Sequence, residues 1–397
     1  MNNWPWSFIH SSHIPVLERW LGLGMLWLLL GLFIMPTNKV YHQGLIYLLW
    51  LPGVISLFKT PTWYQAFDRL LLSLLGLSVA WAALSLSWGG HPRQLKEVFY
   101  VLISLNGLLM LALRNPRLFW QLLAYAAFIG GLMGWVALIY HYLIQGNNWS
   151  IRTTATGQLD HTILASHVMG VLCLILVYLR RRLPQMLQKG YWMFACSGYL
   201  AFLLMSRTKG TLLALVACLI LSYLWKPSRR SLIVAGTTIA CSLIGIMFFP
   251  EAILRGGFSS RPELLQLAWE QLQQHFWFGL GLDQEYLLTI PETGYSFRHA
   301  HNFYAHLAVE LGVIGLTLWL LLLAGVAWRG WMTRHTAAGR AVCALLCFSC
   351  IALLTDGLGP WVKPREEWFT VWLPIFLGFS LQAARIKPLE KDHCQCR

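Results

Sequence analysis

Three histidines fall within eight residues where a long polar segment gives way to a hydrophobic run: His299, His301 and His306. Asn302 follows His301, and the apolar run begins at Phe303. A neutral imidazole has a pKa that suits it to accept a proton near neutral pH. The pattern therefore makes His301 a candidate general base at a water–membrane boundary. The alternative, that His301 only anchors a helix end by hydrogen bonding, is equally open at this point.

Two arginines occupy positions that favour an anion. Arg207 and Lys209 lie in a short polar break between two apolar runs, at a depth where ionisable side chains are costly and more often functional. Snorkelling of these side chains to lipid phosphates is the alternative. Arg261 lies in the first turn of a predicted helix, where free backbone N–H groups attract negative charge. Together, two guanidinium groups could bind a diphosphate through paired hydrogen bonds.

Metal and cofactor sites are not expected. His301 and His306 would lie about 140° apart on a helix, and the sequence has no H-E-x-x-H pattern. It also has no P-loop, no glycine-rich phosphate loop and no D-x-D pair for a metal–nucleotide sugar. A lipid-borne donor therefore fits better than a nucleotide sugar.

Acidic residues near these positions have two interpretations. Glu310 follows His306 by four residues, so the two could pair on one helix face, and a structural pair is predicted. Asp160 and His161 precede the sixth apolar run, where they could orient a hydroxyl group or cap a helix.

The elements that position these residues are predicted to be membrane helices. The chain of 397 residues is 57% hydrophobic and only 12% charged, whereas soluble domains carry about 25% charged residues. Apolar runs of about 20 residues match the hydrocarbon thickness of a bilayer. We therefore predict an all-α polytopic membrane protein with about twelve transmembrane helices in one domain spanning 1–397. The predicted spans are centred near Leu28, Leu49, Val79, Ser104, Leu132, Leu172, Tyr199, Ala217, Ala240, Leu316, Leu346 and Ile375.

The distribution of Lys and Arg predicts the orientation. With twelve spans both termini share one side, and that side collects the larger share of the basic residues. The positive-inside rule then makes the termini cytoplasmic and turns the loop at about 250–301, between the ninth and tenth spans, outward. The net charge of +14 partly reflects this topology. Binding of nucleic acid is not expected, since no soluble basic domain is present.

The long outer loop contains a predicted amphipathic helix. Ser260 and Glu263 have the spacing of a capping box, and Gly279-Leu280-Gly281 is expected to end the helix. The helix is predicted to lie at the membrane interface or across the membrane domain, although a solvated loop helix is the alternative. Its apolar face comprises Leu265, Trp269, Leu272 and Phe276.

The combined pattern resembles a known family. His301-Asn302-x9-Gly312-x-x-Gly315 is similar to the signature of the bacterial O-antigen ligases, which are grouped with O-antigen polymerases and protein O-oligosaccharyltransferases. Here Gly315 is followed by Leu316 and Thr317, which departs slightly from the usual small or hydroxylated residues. The two glycines of the signature are predicted to present a small face to another helix.

Two further motifs support the resemblance. Ser206-Arg207 resembles the second motif of the family, and Arg261 with Trp269 and Phe278-Gly279-Leu280-Gly281 resembles the third.

The resemblance implies a fold of the GT-C-like type and a glycosyltransferase of the bacterial inner membrane with a periplasmic active site. The implied donor is a glycan linked to undecaprenyl diphosphate, and the implied acceptor is lipid A–core in lipopolysaccharide assembly. By carry-over, His301 is the general base, and Arg207 and Arg261 bind the diphosphate without a metal. Further substrate-binding candidates are Lys209, Asn302, His299 and Arg298.

Other functions stay open. An O-antigen polymerase or a protein O-oligosaccharyltransferase of the same superfamily would use a similar donor with another acceptor. A transporter is a different class, and it would be favoured by interrupted helices in corresponding halves of the chain. None is evident in the sequence, so a transporter is the less favoured alternative.

Overall fold

The computed structural model describes residues 14–59, 68–89, 94–248 and 260–383. Within these residues the chain is helical, apart from a short antiparallel ladder that pairs Leu288 with Phe297. The chain termini and the expected start of the outer loop at Pro250 lie outside the described residues. The first helices are α1 (Val16–Ile34), α2 (Asn38–Leu45), α3 (Leu51–Lys59), α4 (Arg69–Ser85), α5 (Leu95–Arg114), α6 (Pro116–Leu138), α7 (Thr162–Leu179) and α8 (Gln185–Gln188).

The remaining elements carry most of the candidate site. They are α9 (Tyr191–Ser206), α10 (Lys209–Trp225), α11 (Arg229–Phe248), α12 (Arg261–Gln274), β1 (Leu288–Thr289), β2 (Ser296–Phe297), α13 (Phe303–Met332), α14 (Ala337–Ala352), α15 (Trp368–Val371) and α16 (Leu373–Ala383). Two π-helical segments, Ile46–Trp50 and Ile139–Ile144, join α2 to α3 and extend α6.

The expectation of an all-α polytopic membrane protein is confirmed. Seven described helices are long and apolar enough to cross a membrane, and five shorter apolar helices accompany them. Seven plus five gives twelve, and each of the twelve contains one of the predicted centres. Large apolar side chains on the outside, such as Phe58 (84% exposed) and Met247 (74%), fit a lipid environment.

The outer helix α12 forms as predicted, but its buried face differs. Leu264, Ala268 and Leu272 are buried in a small cluster against α13, whereas Leu265 and Trp269 are about half exposed. The small Ala268 permits a closer approach to α13 than the adjacent Trp269 would, so the helix is rotated by about one residue. The expected capping role of Ser260 is wrong, because its side chain makes no cap hydrogen bond.

Helix α13 is interrupted at Gly312, a break that the sequence analysis did not identify. Gly312 has φ 67° and ψ −177°, so the helix divides into Phe303–Leu311 and a longer second half. The predicted helix–helix contact of this glycine is also wrong. A Cβ at Gly312 would lie 2.1 Å from the backbone oxygen of Trp277, which belongs to the outer loop. Gly315 faces the ring of Trp81 on α4.

The outer loop satisfies the backbone groups that this break exposes. We call residues 276–283 the docking segment. The amides of Val313 and Ile314 donate to the carbonyls of Phe276 and Trp277. In return, the amides of Leu280 and Gly281 donate to carbonyls at the end of the first half-helix, at 2.9 and 2.8 Å. The predicted role of Gly279-Leu280-Gly281 as a helix end is therefore wrong, because α12 ends at Gln274.

Trp81 and Gly279 complete this junction. The indole Nε1 of Trp81 donates to the carbonyl oxygen of Leu311 at 2.9 Å. Gly279 has φ 70°, and a Cβ there would lie 2.3 Å from the carbonyl oxygen of Glu310. The glycines of the two sequence motifs thus meet at one junction, where only a residue without a side chain fits.

We expect Gly312→Ala to destabilise the protein by at least about 2 kcal/mol, because Ala there combines a left-handed φ with a backbone collision. The measurement is thermal unfolding in detergent, followed by tryptophan fluorescence. Gly236→Ala on α11 is the matched control, since a Cβ there meets nothing within 4 Å and Ala is favoured in helices. Equal melting temperatures for the two variants would contradict this account of Gly312.

Candidate functional site

The candidate site lies where α13 begins and where the loops joining α6 to α7, α9 to α10 and α14 to α15 meet. Among the described residues, three residues other than glycine adopt positive φ angles: Arg207 (51°), Asp283 (60°) and His301 (47°). Such backbone conformations cost about 1–3 kcal/mol each and concentrate at functional sites. Two of the three are site residues predicted from the sequence.

His301 forms a pair with a carboxylate that the sequence analysis did not identify. Its Nδ1 lies 3.2 Å from Oδ1 of Asp356, which also accepts the amide of Gly357 at 3.0 Å. Burial alone would raise the pKa of Asp356, but the hydrogen bond and charge of His301 outweigh it and lower that pKa below its ordinary value. An ionised carboxylate only accepts, so Nδ1 of His301 donates the proton of this hydrogen bond, and in the neutral imidazole Nε2 then keeps its lone pair. The His301 side chain is 29% exposed and so open to a ligand.

His299 packs against this pair in a neutral form. Its ring centroid lies 4.1 Å from that of His301, and its Nδ1 accepts the backbone amide of His301 at 3.3 Å. Burial, and then the proximity of His301, lower the pKa of His299 below its ordinary value. His299 therefore helps to fix the left-handed backbone at His301 without adding a charge.

Ligand atoms of His299, His301 and Asp356 lie within 4.8 Å of one another, close enough to hold a metal ion. The sequence analysis expected no metal and could not place Asp356 beside the histidines. However, Nδ1 of His299 already accepts a backbone amide, and Oδ1 of Asp356 already accepts two hydrogen bonds. A metal using these lone pairs would have to replace hydrogen bonds, so the donor set fits a hydrogen-bonded pair better than a metal centre.

The residue before Asp356 links this pair to a basic region. The carbonyl oxygen of Thr355 accepts Nε of Arg261 at 2.8 Å. The side chain of Thr355 also packs on Gly210, at the start of α10. Arg261 is thus held one residue from the carboxylate that pairs with His301. Within the described residues its two Nη groups have no recorded partner, so they can serve a ligand.

Arg152 is a second guanidinium in this region that the sequence analysis did not assign to the site. Its Nε donates to the carbonyl of Ser206 at 2.8 Å, and its Nη2 donates to Oγ1 of Thr208 at 3.1 Å. Burial, and then the positive charge of Arg261, lower the pKa of Arg152. Two like charges brought together while partly desolvated favour an anion between them.

The short polar break between the two apolar runs is a tight hairpin between α9 and α10, and it positions Arg207. The two Nη groups of Arg207 donate to the carbonyls of Ser150 (3.1 Å) and Trp149 (3.0 Å) in the preceding outer loop. The side chains of Arg207 and Lys209 are exposed beside this loop. The hairpin therefore contributes positive charge to the same end of the bundle as Arg152.

The other predicted positions have these surroundings. The amide of Asn302 caps α13 by accepting from the amides of Tyr304 and Ala305, and it donates to the carbonyl of Leu354. Both the side-chain oxygen and the side-chain nitrogen of Asn302 therefore form hydrogen bonds within the protein. Arg298 is exposed. The Nδ1 of His161 accepts the amide of Leu164, which favours the capping interpretation of that histidine.

A second polar chain runs from the histidines toward the docking segment. The hydroxyl of Tyr286 lies 2.6 Å from Nδ1 of His306, and Nε2 of His306 lies 3.6 Å from Oε1 of Glu310. The same carboxylate oxygen accepts the amide of Asp283 at 3.1 Å. The predicted structural pair of His306 and Glu310 is therefore present. It ties the first half of α13 to the docking segment.

The comparisons with known proteins agree with these observations. Residues 192–320 match the family model described as O-Antigen ligase. This range contains Arg207, Arg261, His301 and the glycines of the broken helix. Over 375 residues the chain is 29% identical to the O-antigen ligase of Pseudomonas aeruginosa, covering 92% of each chain. The chain is therefore similar to O-antigen ligases, both over residues 192–320 and along nearly its whole length.

Proposed function

We propose that this enzyme transfers O-antigen glycan from undecaprenyl diphosphate to lipid A–core. The observation that carries the proposal is the exposed imidazole of His301, paired with Asp356 and adjacent to the guanidinium of Arg261. The relative from Pseudomonas aeruginosa, which matches along nearly the whole chain, supports the choice of a ligase over a polymerase.

In the proposed mechanism, Nε2 of His301 accepts the proton of an acceptor hydroxyl as its oxygen attacks the anomeric carbon of the donor sugar. The new C–O bond forms while the bond to the diphosphate breaks, and the diphosphate leaves as an anion. Asp356 stabilises the imidazolium and holds the ring in place. Attack opposite the leaving group inverts the anomeric centre, and a product that retained the donor configuration would refute this step.

The leaving diphosphate is proposed to bind Arg261, Arg207 and Arg152. Fixed positive charge aimed at a leaving group can stabilise it without a metal ion. Lys209 and Arg298, both exposed, add charge at the same end of the bundle. Asn302 and His299 act in this scheme by positioning the start of α13 and the ring of His301.

The proposed topology has twelve spans in a GT-C-like bundle and one domain over 1–397. Both termini face the cytoplasm, and the site faces the periplasm of the inner membrane. The loops of the site follow the fifth, seventh, ninth and eleventh spans, so they all lie at the same end of the bundle. This end includes the outer loop, which the positive-inside rule places outside the cytoplasm.

The broken helix α13 is a feature that a transporter would share. Its exposed backbone groups are occupied by the docking segment and by Trp81. Protein backbone therefore fills the break, which supports a role in positioning the site rather than in opening a passage.

The function is tested with purified protein, lipid-linked O-antigen and lipid A–core, in the presence and absence of EDTA. We expect the glycan on lipid A–core, with an EDTA-insensitive rate. Lengthening of the lipid-linked glycan would instead identify a polymerase. Transfer of the glycan to an added protein would identify a protein O-oligosaccharyltransferase, and a donor that is not consumed would favour a transporter. Loss of transfer in EDTA that is restored by a divalent metal would overturn the metal-free mechanism.

We expect His301→Ala to lower kcat by about 10²- to 10⁴-fold, since this is the usual contribution of a general base. The variant should remain folded and inserted in the membrane. His335→Ala, which removes an exposed histidine after α13, is the control and should transfer normally. Wild-type activity in His301→Ala would remove this residue from the mechanism.

Asp356→Asn tests the positioning of His301. We expect kcat to fall by about 10²-fold or more while both KM values stay within about twofold, because the charge acts on the imidazolium that forms during transfer. Asp356→Glu should restore part of the loss. Glu292→Gln, at an exposed carboxylate of the outer loop, should behave like the wild type. A loss confined to KM would argue against this role.

Arg152→Gln and Arg261→Gln test the anion site. For each we expect kcat/KM for the lipid-linked donor to fall by about 10²-fold, since each removes a charged donor to the leaving group. The corresponding Lys variants should recover only part of the activity, because Lys lacks the planar fork. Arg117→Gln, at an exposed position on α6, is the control. Unchanged donor kinetics in both Gln variants would exclude this diphosphate site.

A further inference from the structure

A separate cavity of about 670 Å³ opens beside the docking segment. Its walls come from the start of α2, the start of α5, Asp283 of the docking segment and the loop Trp361–Arg365. This volume lies in the usual range for a small-molecule site. The proposed mechanism uses none of the side chains that line it.

Two buried polar groups in the cavity wall have no hydrogen-bond partner in the described part of the chain. They are Oε2 of Glu97 and Nε1 of Trp361. Both residues are only 5% exposed. A buried polar atom without a partner costs about 1–3 kcal/mol, so a ligand that supplies a hydroxyl or an oxygen to these atoms would recover that cost.

Positive charge at the mouth of the cavity is available to a ligand. Lys39 and Lys363 are exposed, and within the described residues neither has a carboxylate within 4.0 Å. Lys96, by contrast, is next to Glu97, and Arg365 pairs with Glu366. Acidic, amide and indole groups, together with ammonium groups that make no direct ion pair among the described residues, suit a saccharide that carries an anionic substituent.

The cavity is joined to His301 by a short series of contacts. Asp283 lines the cavity and donates its amide to Glu310, which lies 3.6 Å from His306. The ring of His306 lies 6.5 Å from that of His299, whose centroid is 4.1 Å from that of His301. The Arg261 side of His301 is reached by a different route, through Thr355 and Asp356.

One wall of the cavity also borders the lipid-facing surface of the bundle. Ile46 lines the cavity and is 44% exposed, and the adjacent Tyr47 is 64% exposed. Both lie in Asn38–Lys59, which is long and apolar enough to span a membrane. A saccharide attached to a membrane lipid could therefore reach the cavity while its lipid stays in the bilayer.

We infer that this cavity binds the anionic inner saccharide of the acceptor and so holds the acceptor hydroxyl at His301. The inference rests on the proposed function. Lys39 and Lys363 bind the anionic substituent, and Glu97 and Trp361 bind sugar hydroxyls. The donor diphosphate then occupies the guanidinium side of His301, and the acceptor approaches from the docking segment.

The charge is tested with K39Q/K363Q. We expect the KM for lipid A–core to rise roughly 10-fold or more, as the loss of one charge-assisted contact would give, while the KM for the donor is unchanged. The control K189Q/K226Q removes two exposed lysines from the other end of the helices and should leave acceptor KM unchanged. An unchanged acceptor KM in K39Q/K363Q would overturn the inference.

Two modified acceptors identify the anionic group. If phosphate is recognised, dephosphorylated lipid A–core gives the wild type and K39Q/K363Q the same raised KM. If a carboxylate is recognised, carboxyl-reduced lipid A–core is the acceptor for which the wild type and K39Q/K363Q have the same raised KM. A difference between the two proteins that persists on both acceptors would contradict recognition of an anion at these lysines.

Trp361→Phe and Trp319→Phe form a matched pair, because each indole Nε1 is buried and unpartnered among the described residues while only Trp361 lines the cavity. We expect Trp361→Phe to raise acceptor KM about 3- to 10-fold and Trp319→Phe to leave it unchanged. An equal change in acceptor KM for the two variants would indicate that Trp361 acts through packing alone and would contradict a hydrogen bond from its indole to the acceptor.

Acceptor binding is measured separately from transfer, by titrating lipid A–core into purified His301→Ala. Weaker binding of lipid A–core after K39Q/K363Q is added to His301→Ala supports the cavity as the acceptor site. Absence of transfer by the wild type would count against the proposed function but not against this binding result. Equal binding with and without K39Q/K363Q would refute the cavity, whatever the transfer assay gives.

Discussion

The hydrogen bonds between the docking segment and the break in α13 are the constraint on which the rest of the site depends. A backbone amide or carbonyl without a partner in hydrocarbon costs several kcal/mol, so an open break inside a spanning helix would not persist. The docking segment and Trp81 supply the missing partners for the backbone on both sides of Gly312. Because the first half of α13 is held in this way, His301 at its start has a fixed relation to the outer loop.

Two routes of contacts lead away from His301, and they differ in charge. One route of contacts leads through Asp356 and Thr355 to Arg261, and it brings positive charge close to the imidazole. The other leads through His299 and His306 to uncharged or paired groups near the docking segment. The guanidinium groups on the first side are oriented by backbone carbonyls, which fix their position without neutralising their charge.

Much of the architecture could be predicted from the sequence because lipid imposes a simple rule on composition. Apolar runs located the helices, and the polar break between two runs located the hairpin that contains Arg207. The histidine motif and Arg261 were found because they stand out where apolar runs meet polar segments. These are local signals that need no knowledge of which segments meet in space.

The contacts that complete the site could not be predicted in this way. Asp356 is 55 residues from His301, and Arg152 lies 56 residues before Thr208, so only the packed bundle brings these partners together. The glycines of the signature suggested helix packing because spacing alone does not distinguish a crossing from a break. The buried face predicted for α12 differed from the observed one by about one residue, because this helix has apolar residues both on the side facing α13 and on its exposed side.

The order of the chain gives the pairing of His301 with Asp356 a consequence for biogenesis. The imidazole of His301 precedes α13 in the chain, whereas the carboxylate of Asp356 follows α14. A nascent chain that ends within α13 contains His301 without this carboxylate. The hydrogen-bonded pair can therefore form only after α14 and the segment that follows it have been made.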